Sequence, residues 1–238
     1  MSADSAPSAP ERHHSHRDVT GGWLRPAVFG VTDGLVSNTA LVAGVAGGGV
    51  SPRALVLTGL AGLAAGAFSM AIGEYVSVAS QSEATLAEIE VEKAELARVP
   101  EAEEAELAAV YEGRGVLPAT AREVARQLSA DPEQAWRVHA REELGVDPDD
   151  LPSPWTAAGS SFAAFAVGAA VPVLPYLLGG TSLLVALLLA GVALFAAGAL
   201  VSRFTSRGAL SAGLRQLVLG AGAAALTYGI GSLVGAGV

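Results

Sequence analysis

Cysteine is absent from the 238-residue chain, which excludes a disulfide framework and any thiolate metal or redox centre, and leaves the redox compartment undetermined. Charge is scarce as well. Only 16% of residues are charged against 51% hydrophobic, far too apolar a balance for a water-soluble domain of this length. The composition is that of a membrane protein. No apolar core follows the N-terminus, because residues 1–22, opening MSADSAPSAPERHHSHRDVT, are polar and Pro/Ser-rich. They read as a disordered tail and not as a cleaved signal, so insertion rests on internal spans. The chain also lacks a Walker motif for nucleotide-driven work, and no stretch carries a strand pattern. Neither enzymatic chemistry nor a nucleic-acid partner is expected.

Five apolar segments are long enough to cross a hydrocarbon core of roughly 30 Å, which takes about 20 helical residues. They cover roughly residues 24–49, 54–79, 155–178, 181–202 and 210–236. Residues 81–152 differ in character, holding 18 of the 23 acidic and 7 of the 14 basic residues, a net charge of −11. The expected fold is therefore an all-α membrane protein of five transmembrane helices with an inserted cytoplasmic helical domain. A tail (1–22) precedes spans one and two (23–80), the acidic insert (81–152) and spans three to five (153–238). Arg12, Arg17 and Arg25 precede span one, and Arg203, Arg207 and Arg215 surround the link between spans four and five. This arginine bias puts the N-terminus and the insert in the cytoplasm, and the odd span count puts the C-terminus on the opposite side.

Within the insert, Pro100 interrupts one helix, and EAEEAELAAVYEGRG reads as a second, ended by Gly113 and Gly115. TARE at 120–123 has the form of a capping box, with Thr120 as N-cap and Glu123 reaching back. DPEQAWRVHAREELG opens a fourth helix, with Asp131 as cap, Pro132 at its first position and Gly145 as its stop. Residues 147–155 then read as an extended linker.

Asp33 lies in an otherwise apolar stretch, GVTDGLVSNTALVAGVAGGG. A span that starts near Arg25 places Asp33 roughly 12 Å deep at a rise of about 1.5 Å per residue. If span two leaves the membrane near Val78, Met70 lies at the same depth, with Glu74 one turn nearer the cytoplasm on the same face. Ser37 stands one turn beyond Asp33. Two carboxylates, a thioether and a hydroxyl at matching depth suit a cation site, where isolated charges cost several kcal/mol. The bland alternative is a carboxylate bonded to a neighbouring helix and a methionine used for packing.

Span two does not end at the membrane. Glu74, Gln81, Glu88 and Glu95 recur every seven residues, beside Ser77 and Glu92, while Leu86, Ile89, Lys93 and Leu96 mark another side. One continuous helix can carry this stripe out of the bilayer. A run of glutamates is usually a solvated face, yet Glu92 and Glu95 stand at i, i+3, Glu103 and Glu106 repeat the spacing on the next helix, and His139 and Glu143 stand at i, i+4 on the fourth. Each pair points two ligands from one face, and three such faces can surround divalent cations.

DGLVSNTALVAGVAG, followed by GLAGLAAGAFSMAIGEYVSVASQSE and later by LPSPWTAAGSSFAAFAVGAAVPVLPYLL, closely resembles the signature of the vacuolar iron transporter family, from about residue 23 onward. The resemblance implies a five-span homodimer in the lipid bilayer, with a cytoplasmic metal-binding domain, exchanging Fe²⁺, and often Mn²⁺, for protons. It assigns Asp33 and Met70 to the pathway, Glu74 to its entrance, and Glu92, Glu95, Glu103, Glu106 and Glu143 to the insert's metal site. Where family members can offer adjacent methionines on the last insert helix, this chain has His139 and Ala140. That harder, nitrogen-containing set should still take Fe²⁺ or Mn²⁺, with Zn²⁺ and Co²⁺ as further candidates.

The function expected is export of divalent metal from the cytoplasm against protons. The alternative is a membrane-anchored metal-buffering or sensing protein, which explains the insert but neither Asp33 at membrane depth nor five spans. A di-iron oxidase would need Glu-x-x-His pairs on two helices, and no helix here carries one. Among weaker features, the histidines of HHSH at 13–16 can scavenge metal. GVAGG at 44–48 and GLAAG at 62–66 allow close helix approach. Trp23 and Trp155 suit the membrane interface, and Trp136 and Tyr111 suit a small core within the insert.

Overall fold

The computed structural model describes residues 22–204 and 207–237, so the tail and its HHSH cluster lie outside the described residues. Helices account for most of the described chain, and no strand occurs among the described residues. In order they are α1 (Leu24–Gly47), α2 (Pro52–Arg98), α3 (Pro100–Gly113), α4 (Pro118–Leu128), α5 (Pro132–Glu142), α6 (Pro154–Ala170), α7 (Leu174–Leu177), α8 (Leu183–Val201) and α9 (Ala209–Gly235). Four of these, α1, α2, α8 with its 3₁₀ extension to Phe204, and α9, are long and apolar enough to cross a membrane.

The third apolar segment departs from a plain span. Its helix α6 holds 17 residues, about 26 Å at the α-helical rise, and stops where Pro172 cannot donate to the next turn. The chain then resumes as the single turn of α7, with Pro175 in it. Hydropathy treats residues 155–178 as one run because it is blind to the missing N–H.

Helix α1 is the hub of the bundle, and glycine is what brings its neighbours close. A Cβ on Gly30 or Gly34 would collide with the α6 carbonyls of Ser161 and Phe165, and one on Gly168 would collide with the carbonyl of Val31. On the opposite side, Gly44 faces Thr227, Gly47 faces Tyr228, and a Cβ on Gly231 would collide with the carbonyl of Gly44. These pairs run in the same order along each pair of helices, so α1, α6 and α9 are parallel. Asn38 beside Gly62, Phe165 beside Gly66 and Val173 beside Gly59 run in opposite order, as do Leu194 with Gly220 and Ala212 with Gly198, making α2 and α8 antiparallel to the other three. The small-residue patterns at 44–48 and 62–66 thus serve packing within the chain.

Gly231→Ala should destabilise the bundle by about 1–3 kcal/mol or more, the usual range for overpacking. Gly222→Ala, on the same helix with nothing within 4 Å of the added methyl, should be neutral or gain up to about 1 kcal/mol. Thermal unfolding in detergent checks this, and equal midpoints for the two variants would refute the close α1–α9 contact.

Helix α2 runs unbroken for 47 residues, about 70 Å. It starts at Ser51, whose hydroxyl accepts from the Ala54 amide, with Pro52 at the first position, and ends just before Pro100. Its far half carries α3, α4 and α5. Asp131 caps α5 as expected, accepting from the Glu133 amide at 3.0 Å, and Gly145 supplies the left-handed turn after it, at φ +68°. The expected Thr120 cap does not form. Helix α4 begins at Pro118 with Leu117 at its N-cap, three residues earlier, because proline's set φ nucleates the first turn, and Glu123 bonds Arg126 and Gln127 instead of reaching back. Leu107, Ala108 and Ala125 form the insert's core with Tyr111, Leu128 and Val138 against it. Trp136 is not part of that core. It stacks between Lys93 and Arg137, 4.3 and 4.6 Å from its ring, where α5 meets α2.

Trp23 and Trp155 are 55% and 75% exposed, and Tyr75 lies 4.7 Å from Trp155. All three gather at the end of the bundle where Arg25 approaches Glu74, the level at which indole rings favour a membrane boundary.

Candidate metal sites

The insert's core sets the geometry of the first cluster. Leu107 and Ala108 anchor α3 one turn after Glu103, and Val138 anchors α5 beside His139, while Ile89 of α2 is buried one turn before Glu92. Ligand atoms of Glu92, Glu103 and His139 consequently lie within 4.8 Å of one another. The Nδ1 atom of His139 is 2.8 Å from Glu92 Oε1 and 2.9 Å from Glu143 Oε1. Neither approach has in-line hydrogen-bond geometry, so both imidazole nitrogens and both carboxylate oxygens are buried without a partner. His139 has no exposure to solvent.

Burial pushes the Glu92, Glu103 and Glu143 carboxyls above the usual glutamate range. Neighbouring carboxylates add to this, Glu143 on Glu92 and Glu106 on both Glu103 and Glu143, while His139 opposes it. Buried donor atoms that converge without hydrogen bonds, among charges that repel one another, suit a divalent cation with oxygen and nitrogen ligands. Glu95 and Glu106 do not join the tight cluster. Glu95 is 3.8 Å from Arg98 and Glu106 is exposed, so both act on the cluster through their charge.

A second site lies between α1 and α2. Asp33, Ser37 and Met70 line one cavity of about 250 Å³, together with Asn38, Gly62, Ser69 and Phe165. The matching depths of Asp33 and Met70 follow from the antiparallel pairing of α1 and α2. The hydroxyl of Ser37 donates to the backbone carbonyl of Asp33 at 2.6 Å, which leaves its lone pairs free. Glu74 does not line this cavity. It lies one turn away with its Oε2 buried, 3.5 Å from the Arg25 guanidinium. Ser37 and Ser69 are exposed and Gly73 faces open space, so the cavity opens on the outer flank of α1 and α2.

Asn38 is a polar residue of this cavity that spacing and periodicity do not single out. It is 2% exposed, and its amide nitrogen donates to the carbonyls of Gly59 at 3.1 Å and Ala169 at 2.6 Å, tying α1 to α2 and α6. The available signal was a carboxamide inside an apolar run, one residue past Ser37.

The match to known proteins spans both sites and the helices between them. Residues 24–232 match the model of the VIT family. The chain is 39% identical to a vacuolar iron transporter of Acanthamoeba castellanii, over 95% of this chain and 84% of that protein. It is 34% identical to vacuolar iron transporter 1 of Oryza sativa subsp. japonica, over 98% and 94%, and 32% identical to vacuolar iron transporter 1 of Arabidopsis thaliana, over 93% and 90%. An acidic helical insert between apolar blocks, and a carboxylate cavity in a membrane-type bundle, are thus features of a chain that belongs to the VIT family, whose curated relatives are iron transporters.

Proposed function

We propose that this protein exports Fe²⁺, with Mn²⁺ as a second substrate, from the cytoplasm in exchange for protons. The carrying observation is that one helix, α2, joins both sites: Met70 lines the bundle cavity and Glu92 enters the insert's cluster. The insert collects ions at Glu92, Glu103, His139 and Glu143 with Glu95 and Glu106 drawing them in by charge, and Glu74 stands at the entrance to the pathway. Asp33 then takes a metal ion and a proton in alternation, with Met70 as a polarizable second ligand and Ser37 as a neutral one.

Five crossings fit the strict alternation of helix direction, α6 and α7 together making the third. Arg25 and Arg215 share one end of the bundle, where they line a common cavity with Phe204, which supports a cytoplasmic N-terminus and insert under the positive-inside rule. Asp33 open on the flank of a single chain would meet lipid at a cost of several kcal/mol, so a second copy is expected to cover that side in a homodimer. Being called vacuolar iron transporters, the relatives support iron as the principal cargo.

Uptake of Fe²⁺, Mn²⁺, Zn²⁺ and Co²⁺ into proteoliposomes, with and without a pH gradient, tests the proposal. Fe²⁺ and Mn²⁺ should accumulate only with the gradient. Metal bound to the protein but never delivered to the lumen would favour the buffering or sensing role instead.

A further inference from the structure

We infer that Asn38 is a further metal ligand of the pathway, its side-chain oxygen forming the station a divalent cation reaches after Asp33. This rests on the transport reading above. Both partners of the Asn38 amide nitrogen, the carbonyls of Gly59 and Ala169, can only accept hydrogen bonds, so the NH₂ group must face them and the orientation of the carboxamide is set. Its oxygen therefore points away from both bonds, toward Gly62, which together with Asn38 itself lines the Asp33 cavity.

That oxygen is buried and accepts no hydrogen bond, an arrangement native proteins seldom leave without a role. Gly62 keeps the space beside it clear, since a Cβ there would stand 2.7 Å from the oxygen and against Leu41. Asn38 is about 7.5 Å further along α1 than Asp33. A cation leaving Asp33 thus meets a neutral oxygen held rigidly by three helices. An amide oxygen is a hard donor, suited to Mn²⁺ and Fe²⁺ over thiophilic ions, and it offsets the softer thioether of Met70.

Because the chain contains no cysteine, Asn38→Cys places a single soft donor at this position. In proteoliposomes Mn²⁺ uptake by this variant should fall about tenfold, and the ratio of Cd²⁺ to Mn²⁺ uptake should rise about tenfold relative to the parent chain. Loss of both ions by the same factor would mean that Asn38 is only a clamp between helices, and would overturn the inference. Gly62→Ala provides an independent arm, keeping both amide bonds while setting a methyl against the oxygen. Parental Mn²⁺ uptake in that variant would overturn the inference even if Asn38→Cys failed to fold. Should the parent chain carry neither ion, the transport reading itself falls. The comparison is then made on equilibrium Mn²⁺ and Cd²⁺ binding to the full chain in detergent, where an unchanged preference in Asn38→Cys again overturns the ligand role.

Discussion

Asp33→Asn should reduce proton-driven Fe²⁺ uptake by at least about a hundredfold, close to 3 kcal/mol at about 1.4 kcal/mol per tenfold in rate. Asparagine keeps the size of the side chain and one of its oxygens, so the bundle should fold as before. What it cannot do is carry a negative charge or exchange a proton. On the proposed exchange, this one carboxylate is the group that binds the dication and the proton in alternation. Remove the carboxylate and neither half of the exchange has a carrier. Met70→Ala offers the contrast: a lost thioether should slow uptake by about tenfold or change the order of metals, while leaving dependence on the gradient intact. Uptake by Asp33→Asn at the parental rate with the same pH dependence would make Asp33 a packing residue.

The second large effect belongs to the insert. Replacing Glu92, Glu103, His139 and Glu143 together by alanine should abolish the tighter class of Mn²⁺ binding by the full chain, measured by calorimetry in detergent. Replacing Glu95 and Glu106 should weaken that binding only several-fold, because those two act through charge and do not enter the cluster. In the intact insert the same crowding predicts a pH response with a definite sign. Glu92, Glu103 and Glu143 hold protons more tightly when folded than in the unfolded chain, where glutamate titrates near 4.5. Their contribution to stability is therefore complete below that value and is lost as pH rises through their raised folded values.

Without metal, amide exchange across residues 100–143 should accelerate, beyond the intrinsic chemical rate, as pH rises above 4.5 through the raised folded values. Saturating Mn²⁺ should reverse this at pH 7, since an ion at about a hundred times its Kd stabilises the folded form by about 2.7 kcal/mol. Protection that is indifferent to Mn²⁺ at pH 7 would show that the four residues are not ligands.

Much of this protein is legible in local sequence because much of it is governed by local physics. Apolar length dictates which segments can enter a bilayer, and proline and glycine mark where helices begin and stop, so the edges of α2, α3 and α5 follow from Pro52, Pro100, Asp131 and Gly145. Where two local signals compete the stronger backbone constraint decides, as when Pro118 started α4 ahead of the capping box at Thr120. Depth along a helix is also a local quantity, obtained by counting residues from a charged end, which is why Asp33 and Met70 were expected at one level and line one cavity.

The sequence by itself determined the membrane class, the acidic insert, the continuous α2 and the presence of ligand-type residues at Asp33, Met70, Glu92, Glu103, His139 and Glu143. Only the tertiary structure decided which of those residues meet. Spacings of three and four residues describe one face of one helix, and they gave Glu95 and Glu106 the same standing as Glu92 and Glu103. Convergence depends on how α3 and α5 rotate against α2, and that rotation is set by the burial of Ile89, Leu107, Ala108 and Ala125. The role of Asn38 is still further from local reach: its partner Ala169 is 131 residues away, and they meet because the glycines of α1 and α6 let two backbones approach closely enough for one amide to bridge them.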